Sequence, residues 1–517
     1  MARAKMVGAA LAAMAFIVAP ATIRCSAVEG DPAAGPFAEV RSLIEQKIAE
    51  GSVPSLCASV THRGETIWEE AFGWADKESG TRATLRTPYL LASVTKPITA
   101  TAVMVVVERG QMDLDRPIRE YLGEVSLSPL GESVDSVTVR HMLNHTSGLP
   151  LYYNYFYADD PREPTVFSEV VGRYGVFVEP PGRTYRYANL GYDVLCHAVA
   201  TSSGEEYGEF VRREIFVPLG MTDAFVASGT EAPQAVAARY GSDGSLLQAG
   251  GLDTAGGVPV YASVRDLARF GRFHLKGHLE GQSAILSHGS LDDMHWGKDP
   301  EVVYDTDSYG LGWFFREGDF GYRTFWHEGG MSGTSIMLKL VPDEDICIAL
   351  TMNVFDQPTS NAVTNAILNV LLPQYAENRT RREAPTSNKF VSYQPSEEFT
   401  GVWRGAIRTH EGDVPVYMVF EEDADIHVLT RPFFNNSVVL QGQQLWDAVL
   451  NNTGMLGDRI YGWTTIAIPT EDASYYPYVV IVDVTREENV ISGAVTAVTA
   501  ADRMYYALSS YIRLEKD

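Results

Sequence analysis

The sequence predicts two domains: an α+β domain, in which helices flank an antiparallel sheet beside a helical region, followed by an all-β barrel or sandwich. Three observations lead to this prediction. The chain has 517 residues, which exceeds one ordinary domain. A helix and hairpin pattern near its start is mirrored by a hairpin and helix pattern that ends near residue 372. Residues 396–517 alternate between short β-rich runs and turns.

The first 27 residues predict a secretory signal peptide. Arg3 and Lys5 precede an apolar run over 6–19, and small residues suited to cleavage follow at 19–21 or 25–27. The run is short for a membrane span, with a retained anchor as the alternative. We therefore expect an exported, periplasmic or extracellular protein with no stable membrane anchor.

The first domain begins with a helix and a hairpin. Apolar residues recur at helical spacing over Phe37–Ala49. Two short apolar runs, Ser55–Val60 and Thr66–Phe72, predict the two strands of a β-hairpin. The strongly apolar segment Ile98–Glu108 predicts a buried helix.

The same domain ends with these elements in the opposite order. Thr334–Leu340 and Ile346–Met352 predict a second hairpin, and Ala362–Leu372 has the apolar spacing of a helix. Two hairpins at the two ends of the segment suggest one sheet to which both ends contribute. We expect this domain to span 36–373.

A change of composition separates the two domains. Residues 374–395 are polar and rich in breakers of regular structure, which predicts a linker. The domain over 396–517 is compatible with a lipocalin-like barrel. Its predicted strands are Val402–Ile407, Val414–Phe420, Asp425–Leu429, Val438–Leu440, Tyr461–Ile468, Tyr478–Val484, Val490–Val498 and Met504–Leu514.

Composition excludes several classes of function. With 41 basic and 66 acidic residues the net charge is −25, so nucleic-acid phosphates and anionic lipids should repel the protein. A hydrophobic fraction of 45% argues against wholesale disorder. Cys57, Cys196 and Cys347 lie in apolar segments and are expected to be inert buried thiols, with one disulfide as the alternative in an oxidising compartment.

The pattern Ser93-x-x-Lys96 is the first candidate for chemistry. It opens the predicted helix at Pro97, and residues three apart share a helical face, so the Ser93 hydroxyl and the Lys96 amine can meet. A buried lysine can lose its proton and act as a base, whereas arginine cannot. Of nine lysines in the chain, Lys96 is the only one between Lys77 and Lys276. The alternative is a capping serine beside a lysine that extends to solvent.

Two further patterns could add groups to the same site. In Tyr187-Ala188-Asn189, a tyrosine near a cation can shuttle protons and an asparagine amide can hold a carbonyl. In His327-Glu328-Gly329-Gly330, the glycines would let a substrate approach the edge of the strand that follows. Taken alone, each pattern is more typical of an ordinary turn or of core packing.

Together and in this order, the three patterns resemble the motifs Ser-x-x-Lys, Tyr-x-Asn and Lys/His-x-Gly of the serine β-lactamase and penicillin-binding-protein superfamily. The class C-like branch, with its esterases, D-aminopeptidases and D-alanyl-D-alanine carboxypeptidases, is the most similar. The resemblance covers about 37–372 and implies a β-lactamase/transpeptidase-like fold for the first domain. Other segments similar to that branch are Gly110–Asp115, His145–Pro150, Pro218–Met221, Ala255–Gly257 and Asp266–Ala268.

The resemblance implies a role for each motif residue. Ser93 would be the nucleophile that forms an acyl-enzyme, and Lys96 and Tyr187 would share the general acid and base work. Asn189 would contact the substrate. The backbone N–H groups of Ser93 and Gly330 would form the oxyanion hole.

The third motif departs from one common form of the family. Many β-lactamases and carboxypeptidases carry lysine where His327 stands, and that lysine meets the substrate carboxylate. Histidine is mostly neutral at pH 7, so a carboxylate anchor and efficient β-lactam hydrolysis are both in doubt. His327 is instead expected to flank the site and to bind or protonate substrate. Glu328 could favour a cationic group such as a free amine.

The sequence therefore predicts an exported serine hydrolase that acts through a Ser93 acyl-enzyme on an ester, amide or D-amino-acid peptide bond. The alternative is a penicillin-recognising sensor or binding protein with little or no turnover. The expected partner is a small-molecule or peptide substrate and not a nucleic acid. The C-terminal domain could also mediate an oligomer.

Neither a cofactor nor a metal is expected. His141 and His145 are four residues apart, which is the spacing of a zinc-binding pair on a helix. However, Met142 follows His141 where a zinc protease of that type has its glutamate. His145 also belongs to a segment that is explained by the resemblance.

Overall fold

The architecture comes from a computed structural model. It describes residues 35–128, 134–157, 165–227, 235–247, 259–277, 282–296, 301–304, 307–381, 391–430, 437–440, 443–468, 470, 472, 478–499 and 504–517. The predicted signal peptide and the Ala255–Gly257 segment lie outside these residues.

Strands and helices alternate irregularly over the described residues of 35–381. The strands are β1 (Ser55–His62), β2 (Glu65–Asp76), β3 (Thr81–Arg82), β4 (Tyr89–Leu90), β5 (Tyr152–Asn154), β6 (Phe225–Val226), β7 (Arg239–Tyr240), β8 (Leu246–Leu247), β9 (Val260–Ala262), β10 (Glu301–Tyr304), β11 (Asp307–Tyr309), β12 (Phe314–Asp319), β13 (Tyr322–Met331), β14 (Thr334–Val341) and β15 (Ile346–Met352). The helices are α1 (Ala38–Ala49), α2 (Thr95–Glu108), α3 (Val139–Leu143), α4 (Phe167–Tyr174), α5 (Asn189–Ser203), α6 (Tyr207–Val211), α7 (Val217–Leu219), α8 (Val264–His274), α9 (His288–Trp296), α10 (Gln357–Leu371) and α11 (Pro373–Arg381). Single 3-10 turns occupy Ala92–Val94, Ile118–Tyr121, Val134–Ser136 and Pro342–Glu344, and a π-turn occupies Arg212–Phe216.

Nine strands form the main sheet of the first domain, in the order β10-β11-β12-β13-β14-β15-β1-β2-β3. Strand β1 pairs antiparallel with both β2 and β15, so that Leu56 stands opposite Phe72 on one side and Met352 on the other. The prediction that both ends of the domain build one sheet is therefore confirmed. Every residue of β15 is buried, because helices cover both faces of the sheet.

Two helical layers enclose this sheet. On one face, α1 and α10 bury Val40, Ile44, Val363 and Ile367 against it. On the other face lie α8 and the helical region that is built around α2 and α5. Helix α2 is buried from Lys96 to Val106, which explains its almost continuous apolar sequence.

The C-terminal domain is one antiparallel half-barrel sheet, which confirms the all-β prediction. Its strands are β16 (Val391–Ser392), β17 (Gly401–Thr409), β18 (Gly412–Phe420), β19 (Ile426–Thr430), β20 (Ser437–Leu440), β21 (Gln443–Val449), β22 (Asn451–Leu456), β23 (Arg459–Thr464), β24 (Tyr478–Glu487), β25 (Val490–Thr499) and β26 (Tyr506–Lys516). They follow the order β16-β22-β23-β24-β25-β26-β17-β18-β19-β21-β20. Residues such as Trp403, Met418, Val482 and Ile512 fill its interior.

The segment predicted as a linker contains regular structure at both of its ends. Helix α11 continues to Arg381, and β16 begins at Val391. Residues 382–390 between them lie outside the described part of the chain.

A strand of the first domain joins the C-terminal sheet. Strand β5 pairs antiparallel with β26, where Asn154 stands opposite Tyr506 and Tyr152 opposite Leu508. The half of β26 that follows pairs with β17 instead. The two domains therefore share a continuous hydrogen-bonded sheet.

A buried ion network ties the domains together at a second place. Arg186 of the first domain donates to Asp483 of β24 over 3.1 Å, and it also pairs with Glu179. Arg459 binds the same Asp483 carboxylate through two hydrogen bonds of 2.7 Å. Burial opposes the ionised form of Asp483, but the two arginines more than offset this and lower its pKa.

Three further observations concern the sequence predictions. Cys57, Cys196 and Cys347 are buried free thiols, and burial raises their pKa to about 11, 12 and 12 respectively. Within the described ranges, no helix is long and apolar enough to cross a membrane. The same ranges contain no group of three or more His, Cys, Asp or Glu side chains arranged to hold a metal ion.

Candidate active site

Ser93 lies in a tight turn at the entrance of helix α2. The turn spans Ala92–Val94, and Ala92 adopts a φ of 46°, a left-handed conformation that costs energy for alanine. This turn places Ser93 at the surface of a cavity of about 320 Å³. The sequence pattern placed Ser93 correctly at the helix entrance but gave no signal of the strained residue before it.

Lys96 brings three of the predicted site residues together. Its side chain is buried, with 6% of the residue exposed. The Lys96 amine lies 3.3 Å from Ser93 Oγ and donates to Asn189 Oδ1 over 2.7 Å. The same nitrogen lies 4.6 Å from the centroid of the Tyr187 ring. The alternative of a lysine that extends to solvent is therefore wrong.

His145 holds the segment that carries Tyr187 and Asn189. The backbone N–H of Arg186 donates to the His145 carbonyl over 2.8 Å, and that of Ala188 donates to His145 Nδ1 over 3.1 Å. The His145 ring packs against Tyr187 with centroids 4.3 Å apart. Burial, together with the charge of Lys96, lowers the pKa of His145 well below its usual range, so the ring is neutral. The sequence showed His145 as part of a family-like segment and as half of a possible zinc pair with His141, and it did not indicate this positioning role.

Gly329 lets strand β13 approach the nucleophile turn closely. A side chain at Gly329 would place its Cβ 2.1 Å from the carbonyl oxygen of Leu91, two residues before Ser93. The ladder between β12 and β13 ends at Trp326, which leaves the rest of β13 beside this turn. Gly330 follows and lines the cavity. The close approach explains why the motif ends in glycine.

His327 lies behind the cavity wall. It is fully buried, accepts a hydrogen bond from Tyr309 at Nε2 over 3.0 Å, and donates from Nδ1 to the Glu328 carbonyl over 2.8 Å. Burial and the nearby charge of Lys96 lower the pKa of His327 to about 3, so the ring is neutral at pH 7. Strand β13 contributes Gly330 and Met331 to the cavity lining. The structure thus places the His327 side chain among protein groups that already satisfy both of its nitrogens.

Glu328 points to the opposite face of β13 from His327, because side chains alternate along a strand. There it accepts a hydrogen bond from Gln357 of α10 over 2.8 Å. The carboxylate that lines the cavity is Asp193, on α5 one turn after Asn189. The expectation that Glu328 receives a cationic substrate group is therefore not supported by its position.

The cavity wall also contains residues that the sequence patterns missed. Tyr152, Tyr153 and Tyr155, on and beside β5, form one side of the cavity. Met504 of the C-terminal domain also lines it. The cluster of tyrosines was visible in the sequence, but Met504 has no local signature.

The match to known proteins agrees with this geometry. The sequence profile of the β-lactamase family matches residues 40–371, which is most of the chain. The chain belongs to the β-lactamase family. It is accordingly related to serine hydrolases, and the predicted superfamily and fold are confirmed.

Several β-lactamase-family proteins are similar to this chain. Penicillin-binding protein 4* of Bacillus subtilis (strain 168) is 26% identical over 337 residues, which cover 60% of this chain and 71% of that protein. Esterase EstB of Burkholderia gladioli is 32% identical over 212 residues, which cover 38% of this chain and 54% of the esterase. The octameric penicillin-binding protein homologue from Pyrococcus abyssi has the same fold over 92% of this chain and 99% of its own, with a TM-score of 0.55 and 22% identity.

Within this β-lactamase-family fold, the predicted residues divide into two groups. Ser93, Lys96, Tyr187, Asn189 and Gly330 all line one cavity. His327 lies behind that cavity. Its ring does not line the cavity, whereas Gly330 and Met331 of the same strand do.

Proposed function

We propose that this protein is an exported hydrolase that cleaves an ester, amide or D-amino-acid peptide bond through an acyl-enzyme on Ser93. One observation carries the proposal: the buried Lys96 amine lies within hydrogen-bond distance of the Ser93 hydroxyl and of Asn189, at the surface of a cavity. A nucleophile, a base and a group that orients the base are the parts that such chemistry needs.

The reaction would proceed in two halves. With the Lys96 amine unprotonated, Ser93 Oγ attacks the substrate carbonyl carbon and its proton passes to that amine. The bond to the leaving group then breaks, and a proton delivered through Lys96 and Tyr187 neutralises the departing oxygen or nitrogen. Water attacks the resulting ester of Ser93 in the reverse sequence and releases the acid.

Backbone donors would stabilise the charge that develops on the carbonyl oxygen. Ser93 and Gly330 border the same cavity, and their backbone N–H groups are the proposed pair of donors. A single donor of this kind contributes about 3 kcal/mol to lowering the barrier. The close contact between β13 and the Ser93 turn keeps the pair together.

The charges at the site favour substrates without a carboxylate. Among the described residues that line the cavity, Lys96 is the one basic side chain, and its amine is engaged by Ser93 and Asn189. His327 is neutral at pH 7, as shown above. Efficient binding of the carboxylate of a β-lactam is therefore not expected.

A fluorophosphonate probe tests the nucleophile directly. The expected result is one adduct per chain on Ser93, mapped by mass spectrometry, and no adduct in Ser93→Ala. Both Lys96→Ala and Lys96→Arg should react at least about 100-fold more slowly, because neither side chain can take the serine proton. Lys276→Ala, at an exposed ion pair with Asp292, is the matched control. An adduct on another serine, or unchanged labelling in Lys96→Arg, would contradict the proposal.

The second candidate is a binding protein that is acylated without turnover, and the likeness to penicillin-binding protein 4* favours it. A 4-nitrophenyl ester separates the two functions. A hydrolase gives a burst followed by steady release of nitrophenolate. A binding protein gives the stoichiometric burst alone.

A further inference from the structure

Part of the cavity lining is apolar and aromatic. Tyr153 and Tyr155 lie there beside Met331 and Met504. Burial raises the pKa of Tyr153 to about 12 and that of Tyr155 further still, so both phenols are uncharged. The charged groups of the cavity, Lys96 and Asp193, are carried instead by the two helices α2 and α5.

Met504 belongs to a small apolar cluster beside the nucleophile turn. Together with Tyr155 it packs against a group of buried residues that includes Leu90 and Met331. Ala92, the residue before Ser93, packs against the same group. Met504 therefore lies near the nucleophile turn and borders the same cavity as Ser93.

Hydrogen bonds from the first domain fix the position of Met504. The backbone N–H of Met504 donates to Ser332 Oγ over 2.8 Å, and its carbonyl accepts from the hydroxyl of Tyr157 over 3.1 Å. The next residue, Tyr505, accepts a hydrogen bond from the backbone N–H of Tyr155 over 2.6 Å. From there the ladder between β5 and β26 begins. The pairing of β5 with β26 therefore holds both Tyr155 and Met504 at the cavity.

The chemistry and the position of these tyrosine and methionine side chains together define a class of substrate. Tyrosine and methionine side chains bind apolar and aromatic groups well, and methionine adapts to their shape. A cavity of about 320 Å³ is large enough for a small ligand group. A charged acyl side chain would have to give up its hydration against this wall without a partner.

We propose that Met504 of the C-terminal domain is a specificity-determining residue, and that the site prefers acyl donors with a bulky, uncharged aromatic or aliphatic acyl group. This inference rests on the proposed Ser93 hydrolase function. It assigns the C-terminal domain a part of the substrate site.

The test compares three 4-nitrophenyl esters, of acetate, of 4-phenylbutyrate and of succinate, on the full-length chain. Wild type should have a higher kcat/KM for phenylbutyrate than for acetate or for the charged succinate. Met504→Trp, which fills the cavity, should lower the phenylbutyrate-to-acetate ratio at least about tenfold. Met504→Ala, which removes the contact, should lower it about fivefold. Met455→Ala, at a partly buried methionine of β22, should keep the ratio within about twofold of wild type.

The outcomes separate this inference from the proposed function. If wild type is labelled on Ser93 and turns over esters, but both Met504 variants keep the wild-type ratio, the inference is wrong and the hydrolase function stands. If wild type has the same kcat/KM for the acetate and the phenylbutyrate ester, the inference is also wrong and the hydrolase function also stands. If Ser93 is not labelled and no ester is hydrolysed, the proposed function fails and the inference with it. Melting curves identify a variant that does not fold, and if Met504→Trp is one, Met504→Ala decides.

Discussion

Replacing Gly329 by alanine should disable the site although Gly329 makes no contact with substrate in the proposed reaction. The new Cβ would lie 2.1 Å from the carbonyl oxygen of Leu91 and 3.2 Å from the Cβ of Ile336. Both neighbours belong to regular or tightly turned backbone, so neither can swing aside as a flexible side chain could. The strand and the Ser93 turn must therefore separate.

The size of the effect follows from these distances. An ordinary carbon–oxygen contact is about 3.4 Å, so the two backbones must part by roughly 1 Å. Overpacking of this kind costs about 1–3 kcal/mol of folding free energy. A displacement of about 1 Å between reacting groups lowers a rate on the order of 100-fold. We expect Gly329→Ala to be folded, to melt several degrees lower, and to react with a fluorophosphonate about 100-fold more slowly.

Two neighbouring glycines serve as controls. Gly318→Ala on β12 should match wild type in melting and labelling, because a Cβ there meets nothing within 4 Å. In Gly330→Ala the Cβ would meet the ring of Phe355 at 2.7 Å. Phe355 is 49% exposed and can move, so the loss of stability should be smaller than for Gly329→Ala. If Gly329→Ala labels and melts like Gly318→Ala, the close packing of β13 on the nucleophile turn is refuted.

Two further predictions concern stability. Asp483→Asn should lower the free energy of unfolding by about 3–5 kcal/mol, measured in urea at pH 7, because Arg459 loses its counter-charge and Arg186 keeps only Glu179; a loss below about 1 kcal/mol would contradict this. Burial lowers the pKa of His274 to about 3 and that of His295 well below its usual range, so below pH 6.5 only the unfolded chain takes up their protons. Each of these two histidines should therefore lower the free energy of unfolding by about 1 kcal/mol between pH 7 and pH 5.5. His295→Phe should reduce this pH dependence of stability. An unchanged slope of the free energy of unfolding against pH would contradict the low pKa of His295.

The parts of the site that could be predicted from sequence are those encoded by local spacing. Ser93 and Lys96 are three residues apart across the entrance of helix α2, and Tyr187 and Asn189 are two apart, so short patterns place each pair. The fold of the first domain was predictable for the same reason, because its hairpins and helices have clear periodicity.

The parts that could not be predicted depend on pairings between distant segments. Met504 reaches the cavity only because β26 pairs with β5, more than 300 residues earlier in the chain. Strands β21 and β22 were missed because their sequences are rich in Gln and Asn, which are not typical of strands. Helix α11 was missed because its sequence is polar and has little apolar periodicity.

The pairing of β5 with β26 also sets an order of events during synthesis. The hydroxyl of Ser509 donates to the carbonyl of Leu151 across 358 residues of chain. At about 5–20 residues per second, a ribosome needs roughly 18 to 72 s between these two points. The ribosome therefore completes the residues of the nucleophile turn and of strand β13 before it reaches Met504. The part of the chain that carries the nucleophile is synthesised before the part that would select what reaches it.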